Sequence, residues 1–128
     1  MKKKTLALMF AAAALACTAL TGCSGSGKEE EVVIYSNADD EAVEAMKKTL
    51  DANGYEGKYL FQTFGTSELG GKVMAEGTDI EADLLTLSTF YLDSAQEQQN
   101  MFQKLNFDYE LLNADEKRDY CAPITSAI

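Results

Sequence analysis

The segment EVVIYSNADDEAVEAMKKTL, residues 31–50, contains the signals of a strand, a turn and a helix in that order. Its first five residues, Glu31–Tyr35, are mostly β-branched or aromatic, and such a short apolar run predicts a buried strand. From Asp39 to Asn53, apolar residues recur three or four positions apart, which predicts a helix with one apolar face. The inward residues of that helix are Ala42, Val43, Met46 and Leu50.

The ends of this first helix are also marked in the sequence. Asn37 or Asp39 can cap its start, because a side-chain oxygen there accepts a hydrogen bond from a free backbone N–H group. The acids that follow complement the positive end of the helix dipole, and Gly54 stops the helix.

The alternation of strand and helix signals continues along the chain. Lys58–Phe64 and Ala82–Leu87 are predicted strands, and two predicted helices span Thr66–Glu76, ended by Gly77, and Thr89 to about Gln99. The order β-α-β-α-β-α predicts the α/β class: a parallel, doubly wound sheet with right-handed crossovers and helices on both faces.

The residues after Phe107 give weaker signals. Glu110–Tyr120 is predicted to form a helix, and Pro123 to begin an extended segment. The final residues are apolar and no polar tail follows them, so we expect the chain to be the first part of a longer protein. These final residues are Ile124, Thr125, Ser126, Ala127 and Ile128.

Residues 1–22 are predicted to be a leader rather than part of the folded domain. Three lysines precede an uncharged run, Thr5 to Gly22, that is rich in Ala and Leu. A basic head, a short apolar run and small residues before a cleavage point are typical of an export signal. The sequence Leu20-Thr21-Gly22-Cys23 fits the lipobox of bacterial lipoproteins, so Cys23 is the predicted lipidated N-terminus. A diacylglycerol on Cys23 brings two acyl chains, which anchor stably.

The mature chain is then divided into a tether and a domain. Residues 23–31 are rich in Gly, Ser and Glu, which predicts a flexible tether. Residues 32–128 are the predicted N-terminal α/β lobe. We expect the protein to be exported and held by its lipid at the outer face of the cytoplasmic membrane, or on the periplasmic side in a Gram-negative cell.

The charge of the chain argues against nucleic-acid binding, and its cysteine content argues against an internal disulfide. Removing the leader takes three of the 11 basic residues and none of the 21 acidic ones, so the mature chain has a net charge of −13. Such a chain is not expected to bind nucleic acid, which requires a basic surface. Apart from Cys17 in the leader and Cys23 at the lipidation site, the chain contains only Cys121, so no internal disulfide is expected.

Nothing in the sequence predicts catalysis. The chain contains no His, so the commonest general base and the commonest metal ligand are both missing. Gly65-Thr66-Ser67 lacks the lysine of a nucleotide-binding P-loop. We therefore expect a non-enzyme with no cofactor and no metal ligands of its own. An exported hydrolase whose catalytic residues lie beyond Ile128 is the alternative.

Three predicted loops meet where ligands bind in open α/β sheets, beyond the carboxyl ends of the strands. Each loop is small, carries hydroxyl or amide groups and opens a helix, so backbone N–H groups face the same crevice. Taken singly, each loop is better explained by simple helix capping, and only the three loops together make a ligand site as good an explanation. The candidate ligand-binding residues in these loops are Ser36, Asn37, Gly65, Thr66, Ser67, Ser88 and Thr89.

Two further features lie beside these loops. Gly70 and Gly71 occur together in the second predicted helix, which indicates either close approach of another backbone or a ligand, or a frayed first turn. Phe90 and Tyr91 follow the third loop, and Tyr91 is the preferred ligand contact because its hydroxyl gives the ring a polar use.

The body of the chain resembles the substrate-binding proteins of bacterial ABC importers, in the branch that includes ferric-iron, phosphonate and polyamine binders. The matching segments are VVIYSNADDEAVEAMKKTL, FQTFGTSELGGKVMAEG and EADLLTLSTFYLDSAQEQQNMFQKL. The second is similar to iron and phosphonate binders, and the Ser-Thr-Phe-Tyr-Leu-Asp part of the third to polyamine binders.

The resemblance implies two α/β lobes that close on a ligand, with this chain as the first lobe. It places the three loops and Tyr91 at the ligand and implies delivery of a small polar solute to a permease. Iron binders take paired tyrosines from the second lobe, and some use a His that this chain lacks. The expected ligand is ferric iron with a bound anion, or a phosphonate or phosphate; a polyamine is the alternative.

Overall fold

The computed structural model describes residues 30–111 and 114–124 of the chain. The strands are β1 (Val32–Ser36), β2 (Tyr59–Thr63) and β3 (Leu84–Thr86), and the α-helices are α1 (Asp40–Ala52), α2 (Thr66–Glu76) and α3 (Thr89–Gln99). Two 3-10 turns, Gly77–Asp79 and Ala114–Glu116, complete the elements of these ranges. The leader, the lipidation site Cys23 and residues 125–128 lie outside them.

The described strands form one parallel sheet of order β2-β1-β3. The central strand β1 therefore pairs on both sides, with Ile34 opposite Phe61 of β2 and Leu84 of β3. A side-chain contact reinforces this register, because the Val33 N–H group donates to the carboxylate of Asp83 at 2.8 Å. The parallel α/β class predicted from the alternating pattern is confirmed.

Helices cover both faces of the sheet. Successive side chains of a strand point to opposite faces, so Val32 and its register partner Tyr59 share one face while Tyr35 points to the other. On the first face, the Tyr59 hydroxyl donates to the Asp51 carboxylate of α1 at 2.7 Å. On the second face, Tyr35 packs in a buried cluster with Leu69 and Val73 of α2 and Ala95 of α3.

The helix boundaries follow from local chemistry. The Asp39 carboxylate accepts the Ala42 N–H group at 2.8 Å and starts α1 one residue later than the sequence pattern suggests. Gly54 follows the end of that helix with a φ of 87°, a conformation that glycine adopts without strain. The predicted limits of α2 and α3 match the observed ones. The observed β3 is shorter than predicted, three residues instead of six.

The predicted helix over Glu110–Tyr120 is wrong. In the described part of this stretch, only the 3-10 turn Ala114–Glu116 is helical. The backbone there is bound to other parts of the chain: the Asp119 carbonyl accepts the Leu105 N–H group at 2.7 Å. The Tyr109 hydroxyl lies 2.7 Å from the carbonyl oxygens of Arg118 and Cys121. These contacts replace the bonds that a helix would make within itself.

The described residues of 101–124, called the strap below, are fastened to α3 by one carboxylate. Asp93 of α3 accepts the Arg118 Nε and Nη2 groups at 2.5 and 2.6 Å, and also the Tyr120 hydroxyl. This group of three side chains is called the clasp. The guanidinium hydrogen bonds, helped by the Tyr120 hydroxyl, hold the pKa of Asp93 below its usual range. The strap is thereby joined to α3 by a charge-assisted contact between distant parts of the chain.

A search of the described residues finds no helix of the length and apolarity that a membrane crossing requires.

Leu69→Ala should lower the free energy of unfolding by about 2–5 kcal/mol, because Leu69 is 0% exposed and its truncation leaves a cavity in the core. The matched control is Leu84→Ala, since Leu84 is 56% exposed and loses little on truncation. Urea unfolding of both variants measures the difference. Equal losses in the two variants would show that the buried cluster is not the core of the unit.

The clasp should make stability depend on pH. The folded-state pKa of Asp93 is depressed, so its contribution is present above the unfolded pKa of ~3.9 and is lost as pH falls through the lower folded value. The stability difference between the native chain and Asp93→Asn should therefore shrink as pH falls from about 5 to about 2. Urea midpoints at several pH values measure it. A difference that stays constant over this range would contradict the assignment.

Candidate functional site

The carboxyl ends of the three parallel strands bring the three candidate loops to one edge of the sheet, called the loop edge below. Two direct contacts join them. The Asn37 side-chain amide donates to the Thr66 hydroxyl at 3.0 Å, which ties the first loop to the second. The Asn37 backbone N–H group donates to the Thr86 carbonyl at 3.2 Å, which ties the first loop to the end of β3. The first loop therefore contacts the second loop and the end of β3, the strand that leads into the third loop.

Ser36 supports the loop edge from inside. The residue is 0% exposed, and its hydroxyl lies 2.6 Å from that of Thr86. The same Ser36 oxygen accepts the Ala38 N–H group at 3.1 Å, so it also shapes the turn that leads into α1. With two partners inside the protein, Ser36 orients the first loop and does not face a solute. Thr86, its partner, was not among the candidates.

Each helix that starts at the loop edge has a different cap. Asp39 caps α1, and Glu68 accepts the Gly65 N–H group at 3.3 Å at the start of α2. The third helix is capped by a neutral group, because the Ser88 hydroxyl accepts the Phe90 N–H group at 3.4 Å. Two carboxylates therefore lie at the loop edge beside neutral candidates, which are exposed to solvent. Those exposed candidates are Gly65, Thr66, Ser67, Ser88 and Thr89.

Gly70 is explained by a neighbouring ring. It is buried in α2, and a Cβ atom there would collide with the aromatic carbons of Tyr91. The Tyr91 ring is therefore seated against the bare backbone of α2, half-buried. At Gly71, by contrast, a Cβ would meet open space. The group that approaches Gly70 is thus a side-chain ring, where the sequence predicts a backbone or a ligand, and it does not reach Gly71.

The aromatic residue that projects at the loop edge is Phe90, not Tyr91. Phe90 is 70% exposed and meets Tyr91 edge to face, with ring centroids 5.2 Å apart. Helical spacing carried a signal for this arrangement, since Leu92 and Ala95 are the buried residues of α3 and Phe90 lies about 200° around the helix from Leu92. The hydroxyl of Tyr91 favours this residue as a ligand contact, whereas the helical periodicity favours Phe90 as the exposed ring.

The groups at the loop edge can form hydrogen bonds and a ring contact. This edge offers hydroxyls, one amide, two carboxylates and one exposed ring, on the turns that follow the parallel strands and on the first turns of the helices. Among the described residues, no group of three or more Cys, Asp or Glu side chains is placed to hold a metal ion. A solute that binds here would be recognised by hydrogen bonds and ring contact.

The Gly70–Tyr91 contact predicts opposite effects for two adjacent substitutions. Gly70→Ala should destabilise the protein by about 1–3 kcal/mol, because the added methyl group forces the Tyr91 ring to move. Gly71→Ala should stabilise it by up to about 1 kcal/mol, because alanine favours an open helical position. Thermal unfolding of both variants tests this. If the Gly70→Ala loss is no smaller in a Tyr91→Ala background, the ring is not the cause.

Comparison of the chain with models of protein families, with curated proteins and with solved structures finds no match in any of the three. The likeness to solute-binding proteins therefore stays a prediction from the sequence. Function is inferred from the geometry of the loop edge.

Proposed function

We propose that this protein is the solute receptor of a bacterial ABC importer, anchored by a lipid on Cys23 and delivering a small polar solute to a permease. The observation that carries the proposal is the loop edge, where three helix-starting loops meet at the carboxyl ends of parallel strands. The Asn37–Thr66 hydrogen bond joins two of these loops directly. Open α/β sheets bind their ligands at this edge.

The described α/β unit is, in this proposal, the first of two lobes. Its exposed loop edge is one wall of the binding cleft, and a second lobe supplies the other. The short turns of the first lobe hold their polar groups in place before the solute arrives, which lowers the cost of ordering them on binding. A reading frame that continues past Ile128 into a second α/β half would supply the missing wall, and sequencing the downstream DNA decides this.

The first candidate solute is an anion: a phosphonate, a phosphate, or ferric iron with a bound anion. Backbone N–H groups at helix starts favour negative charge. At α3 the cap is the neutral Ser88 hydroxyl, and Thr89 adds a second exposed hydroxyl. The start of α3 is therefore the point on the loop edge where an anion meets the least repulsion.

The second candidate is a polyamine, and it is favoured by three observations. Asp39 and Glu68 place exposed carboxylates at the starts of α1 and α2. Phe90 presents an exposed ring face, which attracts ammonium groups. The chain is also strongly acidic, with 21 Asp and Glu against 11 Lys and Arg. These charges oppose an anion and attract a cation.

Binding should raise the melting temperature of the full-length product of this reading frame, because a ligand at 100 times its Kd stabilises the folded state by about 2.7 kcal/mol. The probes are inorganic phosphate, methylphosphonate, ferric citrate, spermidine and putrescine. A saturable shift with one chemical class identifies the solute. No shift with any probe, for a protein that melts cooperatively, would contradict the receptor proposal.

Two variants test where the solute sits. Asn37→Ala and Phe90→Ala should each weaken binding about tenfold, the equivalent of roughly 1.4 kcal/mol. Phe107→Ala is the matched control for Phe90, because Phe107 is also exposed, at 58%, but belongs to the strap. Titration calorimetry with the identified solute measures all three. Equal losses in the two Phe variants would place the solute away from the loop edge.

A further inference from the structure

Helix α3 is shared between the loop edge and the strap. Its start carries Thr89 and Phe90 of the loop edge, and Asp93, one turn further on, is the acceptor of the clasp. The first two turns of α3 therefore carry residues of the loop edge at their start and the acceptor of the clasp at their end. A change in the clasp acts within one helical turn of the third loop.

The two halves of α3 are held by different means. The C-terminal half is tied to α2, because the Gln99 side-chain amide donates to the Met74 carbonyl at 3.0 Å. The N-terminal half packs through Leu92 and through the Tyr91 ring on Gly70, but its polar contacts are weak. Its Ser88 cap bond is long, at 3.4 Å, and its first turn has no acidic residue to complement the helix dipole. An 11-residue helix depends on tertiary contacts for its stability.

The clasp residues of the strap also make contacts within the strap. Two guanidinium nitrogens of Arg118 bind Asp93, and the third, Nη1, donates to the Glu116 carbonyl at 2.9 Å. The backbone of Arg118 is held in turn, since its N–H group donates to the Tyr109 hydroxyl at 3.1 Å. Tyr120 stacks on Phe102, with ring centroids 5.9 Å apart and planes 12° from parallel. Asp93 is therefore held by groups that are themselves fixed.

We propose that Asp93, Arg118 and Tyr120 are positioning residues for the loop edge, so that the strap and the first two turns of α3 open together as one unit. Loss of the clasp removes the strongest polar contact of the N-terminal half of α3. The third loop then loses its fixed position along with the strap. The opening itself needs no solute; its effect on solute affinity rests on the proposed function.

Hydrogen–deuterium exchange of the full chain, measured by mass spectrometry without any solute, tests this inference. In Asp93→Asn, peptides from residues 89–96 and from the strap should both exchange up to about fivefold faster than in the native chain, by a similar factor, which is the effect expected from losing a partly exposed ion pair. Peptides from β1 and α2 should not change. The matched control is Lys104→Gln, which removes an exposed ion pair with Asp119 on the same strap and should change neither region.

A second variant keeps the test decisive if Asp93→Asn does not fold. Arg118→Lys keeps the charge but cannot make the two-pronged contact, so it should accelerate the same peptides to a smaller extent. Acceleration of the strap alone would show that the clasp does not position the loop edge and would overturn the proposal. Equal acceleration in β1, or no change anywhere, would overturn it as well. Since no solute is present, this result is independent of whether the receptor proposal holds.

Discussion

The parallel pairing of β1 on both sides is the constraint on which the rest of the structure depends. A strand that is paired on both edges and covered on both faces must be apolar, and Ile34 and Tyr35 are buried for this reason. Parallel neighbours also require a helix between successive strands, which brings every helix start to the same edge of the sheet. The loop edge is therefore a consequence of the sheet, and its polar groups need only short turns to meet.

How much of this fold the sequence predicts depends on the range of the interactions involved. The strands and helices up to Gln99 follow from local patterns, and Val43, predicted to face inward, is 4% exposed. The strap follows from contacts between distant residues instead. Asp93 and Arg118 are 25 positions apart, and neither lies in a pattern that would pair them. The helix predicted for Glu110–Tyr120 is wrong for the same reason, since groups of its backbone and side chains form hydrogen bonds with other segments of the chain.

The loop edge was also predictable in part. The three loops follow from strand order and from the preference of Ser, Thr and Asn for helix starts, so their convergence was expected. Their individual roles were not, because these depend on partners. Ser36 is turned inward by the Thr86 hydroxyl, and Gly70 makes room for the Tyr91 ring. The roles of Asp39 and Glu68 also depend on partners, since their carboxylates accept backbone N–H groups at the starts of α1 and α2 and so occupy donors that an anion would use.

The clasp is a weak attachment, so the strap is a segment of low local stability. Both charged partners are partly exposed, at 30% for Arg118 and 40% for Asp93, and such pairs contribute at most about 1 kcal/mol. The strap otherwise relies on ring stacking and scattered hydrogen bonds, and in its described part only a 3-10 turn is regular. A segment held this way opens at lower free energy than the sheet. Elements that move during binding are drawn from such low-stability regions, and here that region is joined to the third loop through α3.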